Sequence, residues 1–186
     1  MTRERTRKEL AVSISQVIAL INQMEADGVI ERYAIGGAVG ATFYLEPVAT
    51  LDVDIFVPFH EVSGRLLVGP QPILDYLVAR GGVIEREYVV FAGWPVRFLP
   101  PTSELVEEAL AQAVTFDVEG TPARVFTAEY LAAIALQTGR AKDKARLLQF
   151  IEAGAIRAEQ FQSILARHAL VDGWREFERT FLKDES

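Results

Sequence analysis

The stretch TLDVDIFV, residues 50 to 57, constrains the fold of this chain more than any other. Its Leu, Val, Ile and Phe residues indicate a buried strand, yet the same run carries Asp52 and Asp54. Because side chains alternate across a strand, the two aspartates project from one face about 6.6 Å apart. Two ionised carboxylates this close repel each other, and loss of water raises the cost. The pattern therefore requires a cation, a shared proton or solvent beside the pair.

Composition limits which cation or catalyst is available. The chain has 186 residues, of which 50% are hydrophobic and 24% charged, as in a folded soluble domain. It contains no cysteine, which excludes disulfides, thiolate metal sites and cysteine nucleophiles. His60 and His168 are far apart in sequence and show no metal-ligand spacing, so we assign neither a functional role. Oxygen ligands are therefore the expected metal donors.

Charge and apolar runs predict a cytoplasmic protein with no membrane partner. The net charge of -7 argues against nonspecific adhesion to nucleic acid or to anionic membranes. The N-terminus is basic, but polar residues interrupt the following segment before a secretory apolar core develops, so we expect no signal peptide. No run approaches the roughly 18 apolar residues of a membrane span.

Hydrophobic periodicity predicts an α/β (α+β) fold, with strands and helices that alternate before a helical tail. The predicted strands are 31–35, 50–57, 84–91 and 96–99, followed by a hairpin of VTFDV and PARVF that turns at Glu119 and Gly120. The predicted helices are a first one that stops at Gly28, AVGATFYLE ended by Pro47, PILDYLVARGG, SELVEEALAQA, AEYLAAIALQ capped by Thr127, and three more in the tail. The chain divides into an α/β domain, residues 1–126, and a C-terminal helical region, residues 127–186, packed on it.

Gly36 and Gly37 lie where a predicted strand passes into a helix. Glycines let the backbone turn tightly there, and a helix N-terminus offers unpaired N–H groups to a phosphate. Alone, such a pair is structural in most proteins. Here fourteen residues separate Gly37 from Asp52, so a phosphate-binding turn would lie beside a carboxylate pair able to hold Mg²⁺.

From residue 33 to about 152, the chain resembles the nucleotidyltransferase superfamily, particularly the branch with the AbiEii-type toxins of bacterial toxin-antitoxin systems. The resemblance is carried by the GG of IGGAVGATFYL, the D-x-D of TLDVDIFV, the segment GWPVRFL and the tail segment GRAKDKARLL. It implies a nucleotidyltransferase-like mixed β-sheet with a C-terminal helical tail. It also implies that Gly36 and Gly37 grip nucleotide phosphates, while Asp52 and Asp54 act in catalysis by coordinating Mg²⁺ or Mn²⁺.

The segment GRAKDKARLL contains four basic residues, which a helix would present as two adjacent rows: Arg140, Lys142, Lys144 and Arg146. Most such clusters are solvated faces. The resemblance implies the alternative, in which Lys142 and Arg140 reach the triphosphate and Asp143 positions one of them.

Three positions depart from the family pattern. Ala38 stands where Ser or Thr is common, and Arg146 stands where a second aspartate is frequent. Arg97 stands where the third metal-binding carboxylate is expected; Glu85 and Glu87 can replace that carboxylate only if they reach the cleft. Arg97 therefore either pairs with the aspartates in place of a metal or contacts the triphosphate.

Three interpretations remain open. The first is transfer of a nucleoside monophosphate from a nucleoside triphosphate to an RNA or protein acceptor, with Mg²⁺ held by Asp52 and Asp54. The second is a degenerate, non-catalytic member that acts as a nucleotide-binding or partner-interaction module, for which the resemblance implies an antitoxin as a possible partner. The third is a purely structural use of the two aspartates.

Overall fold

The structure, a computed structural model, describes residues 2–46, 52–59 and 70–182, with side chains from Ile14 onward. Thr50, Leu51 and His60 lie outside the described residues. The helices are α1 (Thr2–Ala26), α2 (Gly37–Ala41), α3 (Gln71–Val78), α4 (Glu104–Ala111), α5 (Ala128–Thr138), α6 (Ala141–Glu152), α7 (Ala158–Arg167) and α8 (Val171–Phe181). The strands are β1 (Ala34–Ile35), β2 (Val53–Phe56), β3 (Val83–Glu85), β4 (Tyr88–Phe91), β5 (Trp94–Leu99), β6 (Val114–Val118) and β7 (Thr121–Val125). None of the helices within these ranges combines the length and the apolar character that a membrane crossing needs.

The strands form one mixed sheet in the order β3-β4-β5-β2-β1-β7-β6. Two neighbouring pairs, β2 with β5 and β1 with β7, are parallel, and the other pairs are antiparallel. The parallel register of β2 and β5 sets Asp54 opposite Arg97. The predicted α/β fold with a mixed sheet is therefore confirmed, and its central strands carry the residues that the sequence singled out.

The side chains of β2 point alternately into the hydrophobic core and toward a polar face of the sheet. Val53 and Ile55 are fully buried in a hydrophobic cluster that includes residues of α1 and α3. Asp54 and Phe56 project from the opposite face, as the period of two requires. That face is covered by a second cluster built mainly from α4, α5, α6, α7 and α8. The aspartates thus lie between the sheet and the C-terminal helices.

The local predictions with clear turn and cap signals are confirmed. Gly28 ends the first helical segment with a φ of 73°, which glycine adopts without steric cost. Glu119 and Gly120, with φ of 53° and 82°, form the turn between β6 and β7. The Thr127 hydroxyl accepts a hydrogen bond from the Tyr130 N–H and caps α5.

The segment VIEREYVVF does not form the single strand that its apolar residues predicted. Strand β3 ends at Glu85 and β4 begins at Tyr88, and the two pair antiparallel as a hairpin. Arg86 adopts a φ of 58° in the turn between them. No glycine or proline marks this turn, so the sequence lacks the usual signal for a break.

Helix α2 is shorter than the predicted AVGATFYLE. It ends at Ala41, because the backbone N–H groups of Thr42, Phe43 and Tyr44 bond to carbonyls three residues back and tighten the chain. The Tyr44 hydroxyl donates to the Phe126 carbonyl oxygen at 3.0 Å. This long-range bond fixes the segment after α2 in place. Pro47, the predicted end of the helix, lies outside the described residues.

Glu108 on α4 connects three helices through its carboxylate. Its Oε1 accepts a hydrogen bond from Arg167 Nη2 at 2.6 Å, and its Oε2 bonds to Nε2 of His168 just after α7. Burial raises the pKa of Glu108, but hydrogen bonds from Arg167, His168 and Tyr130 outweigh burial and lower the pKa from 4.5 to about 2. His168 therefore has a bonding role within the fold.

We expect Glu108 to make the protein sensitive to acid. Because the folded-state pKa lies below 4.5, its stabilisation is complete above pH 4.5 and is lost as the pH falls toward 2. Glu108→Gln should lower the free energy of unfolding by about 1–2 kcal/mol at neutral pH, since charged hydrogen bonds become neutral ones. Urea unfolding at several acidic pH values should show a flatter pH dependence in this variant.

The exposed Glu176 provides the matched control, because Glu176→Gln makes the same change without these bonds. It should leave both the free energy of unfolding and its pH dependence unchanged. A Glu108→Gln curve as steep as that of the natural protein would show that other carboxylates control the acid transition.

Candidate functional site

A cavity of about 900 Å³ opens between the polar face of the sheet and helices α4, α5 and α6. Six of the seven predicted site residues line it: Gly37, Asp52, Asp54, Arg97, Arg140 and Lys142. The seventh, Gly36, directly precedes Gly37 and is the N-cap of α2. The structure thus brings the glycine turn, the aspartate pair and the basic tail segment to one place, while the chemical role of each residue remains a prediction.

The glycine turn is packed directly against β2. The Gly36 N–H donates to the Asp54 carbonyl oxygen at 3.0 Å, and a Cβ at Gly36 would lie 2.5 Å from the Phe56 ring. Gly37 has a φ of 58°, and a Cβ there would overlap Asp54 Oδ2 and lie 3.2 Å from its Cγ. Both positions therefore require glycine for packing, whether or not a phosphate binds.

Arg97 is the cation that compensates the aspartate pair. Its Nε and Nη2 donate to Asp54 Oδ1 at 3.0 and 2.8 Å, and Nη2 lies 3.7 Å from Asp52 Oδ2. Burial lowers the pKa of Arg97, but the hydrogen bond and the negative charge of Asp54 outweigh burial, so the net shift is upward. The Tyr88 ring centroid, 5.6 Å from the guanidinium carbon, adds a cation–π contact.

The donor set around Asp52 and Asp54 does not fit a divalent metal. Mg²⁺ takes a near-octahedral shell of oxygen ligands, whereas the guanidinium of Arg97 offers only N–H donors and a like charge. Within the described parts of the chain, no group of three or more acidic or histidine side chains could hold a metal ion. Glu85 lines the cavity without completing such a group, and Glu87 is not among the lining residues.

Asp143 organises the basic segment at the start of α6. It is only 4% exposed, and its Oδ2 accepts a hydrogen bond from Arg140 Nε at 2.6 Å. Its Oδ1 lies 4.0 Å from Nη1 of Arg146, which also lines the cavity. Asp143 thus contacts Arg140, one of the two cations that it was predicted to position, and Arg146 lies beside the same carboxylate.

The two lysines of this segment have different surroundings. Lys142 is exposed and lines the cavity, where its flexible ammonium can reach a ligand. Lys144 is not a lining residue, and its Nζ lies 5.7 Å from the ring centroid of Phe181. The interpretation as a solvated basic face therefore describes Lys144, whereas Lys142 belongs to the cavity.

The cavity is positively charged relative to the rest of the chain. Its lining includes five cationic side chains, Arg86, Arg97, Arg140, Lys142 and Arg146, and four acidic ones, Asp52, Asp54, Glu85 and Asp143. It thus carries one net positive charge in a chain whose net charge is -7.

The sequence did not indicate that Arg86 or Arg146 faces this site. Arg86 is in the unrecognised turn after β3, so nothing in its surroundings marked it as a cavity residue. Arg146 was predicted only as a member of a basic row and as a departure from the family pattern. The signal that could have found it is its spacing of four from Lys142, which puts both side chains on the same face of a helix.

Together, the mixed sheet, the glycine turn against β2 and the cavity between sheet and helices define a nucleotidyltransferase-like architecture, and comparison with solved structures supports this. No protein-family model and no curated sequence matches the chain. An antigenic nucleotidyltransferase-like protein from Paracoccidioides brasiliensis aligns with a TM-score of 0.55 and 16% identity, over 88% of this chain and 92% of that one.

The antibiotic-resistance factor ANT(2″)-Ia is also similar. Its solution structure aligns with a TM-score of 0.55 and 14% identity, over 91% of this chain and 97% of that one. Its crystal structure in complex with adenylyl-2″-tobramycin gives a TM-score of 0.51 and 14% identity, over 83% and 96%. At these identities the likeness shows the fold, so the predicted nucleotidyltransferase-like fold is confirmed and the AbiEii-type branch remains a prediction.

Proposed function

We propose that this protein binds a nucleoside triphosphate in the cavity beside Arg97. The observation that carries the proposal is the convergence of five cationic side chains on one cavity of an acidic chain. A triphosphate is a strongly anionic ligand, and the five cations outnumber the four acidic side chains of the lining, so the cavity is net positive while the chain as a whole is acidic. The nucleotidyltransferase fold supplies the class of ligand.

The basic side chains suit the triphosphate end of the ligand. Arg140 is held by the buried Asp143, so its remaining N–H groups are presented with little loss of conformational entropy on binding. Lys142 adds a mobile point charge on the same side. Arginine and lysine are the side chains that bind phosphate through charge-assisted hydrogen bonds.

Another part of the cavity lining suits the nucleoside end. It includes the apolar side chains of Val106, Leu131 and Ile134, together with the polar groups of Gln137 and Thr138. Apolar surface with a few polar groups is the usual lining of small-molecule sites. The proposed orientation therefore places the base against α4 and α5 and the phosphates against the start of α6.

Nucleotidyl transfer is the second candidate function. It is favoured by the fold that this chain shares with ANT(2″)-Ia, whose crystal structure contains an adenylylated aminoglycoside. In such a reaction an acceptor hydroxyl forms a bond to the α-phosphorus, pyrophosphate leaves, and the hydroxyl proton is released to solvent. The acceptor would be RNA, protein or a small hydroxyl compound; an antitoxin partner is a separate prediction from the AbiEii-type resemblance.

We expect Lys142→Ala to weaken nucleotide binding by about 10- to 100-fold, the loss of roughly one charged hydrogen bond. Binding is measured by filter retention of the four α-labelled nucleoside triphosphates, each tested separately. Arg175→Ala is the control, because Arg175 is 72% exposed on α8, pairs with Asp172 at 3.2 Å and is not a lining residue. Equal affinities in the natural protein and both variants would place the nucleotide elsewhere, and no retention at all would overturn the proposed function.

Transfer is tested with the same labelled nucleotides, cellular RNA, cellular protein and an aminoglycoside, with Mg²⁺ or Mn²⁺ present. A labelled acceptor that disappears with Asp54→Asn would support the second candidate. Nucleotide retention without any labelled acceptor would support a binding protein that does not catalyse transfer.

A further inference from the structure

Arg97 occupies the position between the two carboxylates where a bridging metal would bind. Its Nη2 is 2.8 Å from Asp54 Oδ1 and 3.7 Å from Asp52 Oδ2. A magnesium ion ligated by both carboxylates would need to lie about 2.1 Å from an oxygen of each. The guanidinium and such an ion would overlap and repel each other, so only one of them can occupy this position.

The surrounding structure holds the guanidinium in that position. Neighbouring parallel strands set Arg97 opposite Asp54, so the contact follows from the backbone register and not from a chance rotamer. Two N–H groups share Oδ1, and the Tyr88 ring lies beside the guanidinium. The Asp54 side chain is only 17% exposed, so water screens this ion pair less than it screens a surface pair.

The second oxygen of Asp54 packs against the glycine turn. Oδ2 lies against Gly37, so closely that a single added methyl group at Gly37 would overlap it. A metal ion that binds Asp54 would therefore have to displace Arg97 from Oδ1 or share Oδ2 with the glycine turn beside it. Displacing Arg97 breaks a contact that the register of β2 and β5 imposes.

We propose that this nucleotide site works without a divalent cation, with Arg97 as the fixed positive charge at the aspartate pair. The triphosphate would then bind as the free anion, through Arg140, Lys142 and Arg146, and not as a magnesium chelate. The statement about the nucleotide rests on the proposed function. The statement that Arg97 excludes a metal from the pair does not.

The exclusion of a metal by Arg97 is tested without nucleotide. The protein is titrated with Mn²⁺, and free Mn²⁺ is followed by electron paramagnetic resonance. The natural protein and Asp54→Asn should show the same weak background binding. Arg97→Asp, which removes the guanidinium and adds a carboxylate, should gain one Mn²⁺ site at least about tenfold tighter than that background, a gain of about 1.4 kcal/mol. Arg175→Asp makes the same charge change on α8 and should gain no site.

One tight Mn²⁺ site in the natural protein that is lost in Asp54→Asn would overturn the proposal. If Arg97→Asp does not fold, the comparison of the natural protein with Asp54→Asn still decides, because it needs no third carboxylate. A tighter site in Arg175→Asp as well would show that net charge, and not the position of Arg97, controls metal binding, which also contradicts the proposal.

Binding of the triphosphate as the free anion is tested by measuring retention of labelled nucleoside triphosphate in excess EDTA and in excess Mg²⁺. Affinity in EDTA should equal or exceed affinity in Mg²⁺, because the free triphosphate carries more negative charge. Binding about tenfold or more weaker in EDTA, a difference of about 1.4 kcal/mol, would overturn it. No retention under either condition would refute the proposed function, while the Mn²⁺ titration would still decide whether Arg97 excludes a metal.

Discussion

Gly37→Ala should lower the free energy of unfolding by about 2–5 kcal/mol, because one methyl group meets two separate obstacles. Gly37 has a φ of 58°, where a residue with a Cβ is strained by about 1–2 kcal/mol. The new Cβ would also overlap Asp54 Oδ2. That carboxylate cannot move aside freely, since its other oxygen is bonded to Arg97. Urea unfolding followed by circular dichroism measures the loss.

Gly93→Ala separates the two obstacles. Gly93 has a φ of 81° in the turn between β4 and β5, but no atom lies within 4 Å of a Cβ built there. Its substitution therefore reports backbone strain alone, and Gly37→Ala should lose more. In a double-mutant cycle, Asp54→Ala should reduce the additional loss at Gly37, since it removes the overlapping oxygen. Equal losses at Gly37 and Gly93 would show that the overlap with Asp54 has no energetic weight.

The sequence predicted the glycine turn correctly but could not give its packing reason. A strand followed by Gly36 and Gly37 indicates a tight turn on local grounds. The neighbours that exclude a side chain, the Phe56 ring and the Asp54 carboxylate, lie on the next strand, and only the pairing of β1 with β2 brings them there. Non-local packing of this kind leaves no trace in the spacing of the two glycines.

The secondary structure was predictable where the chain carries local signals. Thr127, Gly28 and the Glu119–Gly120 turn each act on their own few residues, and all three were predicted correctly. The break at Arg86 was missed because tertiary pairing of β3 with β4 overrides a sequence that is continuous in β-forming residues. The early end of α2 was missed for a similar reason, since Tyr44 bonds to a carbonyl on a distant segment.

The candidate site was predictable in its carboxylates and only partly in its cations. Alternation within TLDVDIFV placed Asp52 and Asp54 on one face, and the parallel pairing of β2 with β5 then brought Arg97 to them. Arg146 and Arg86 depend on how α6 and the β3–β4 turn pack against the sheet. The spacing of four from Lys142 put Arg146 on the same helix face as a predicted site residue, but no short motif indicates that Arg86 reaches the cavity.

The second large effect is expected for Arg97→Ala, which should lower the free energy of unfolding by about 1–3 kcal/mol. The substitution leaves Asp52 and Asp54 close together without the guanidinium that lies 2.8 Å from one and 3.7 Å from the other. This expected loss of stability is smaller than for a fully buried ion pair, because the Arg97 side chain is 32% exposed and water screens part of the repulsion.

Arg124→Ala is the matched control for loss of an arginine. Its side chain is 33% exposed, close to the value for Arg97, and it makes an ion pair with Glu25 at 3.8 Å. Removing it leaves one carboxylate that can be hydrated, so the loss should stay below about 1 kcal/mol. Arg97→Lys should recover part of the stability lost in Arg97→Ala, since it restores the charge but not the two parallel donors.

Acid and Mn²⁺ then distinguish repulsion between carboxylates from simple loss of packing. If repulsion causes the deficit of Arg97→Ala, the deficit should shrink in acid, because protonated carboxyl groups do not repel each other. Mn²⁺ should also reduce it, because an ion that binds only the folded pair stabilises the fold by mass action. The natural protein should show no such rise in stability with Mn²⁺, since Arg97 already occupies the position. A deficit that neither acid nor Mn²⁺ changes would mean that Arg97 stabilises the fold through packing, and a Mn²⁺-induced rise of equal size in the natural protein would mean that the arginine yields its position to a metal.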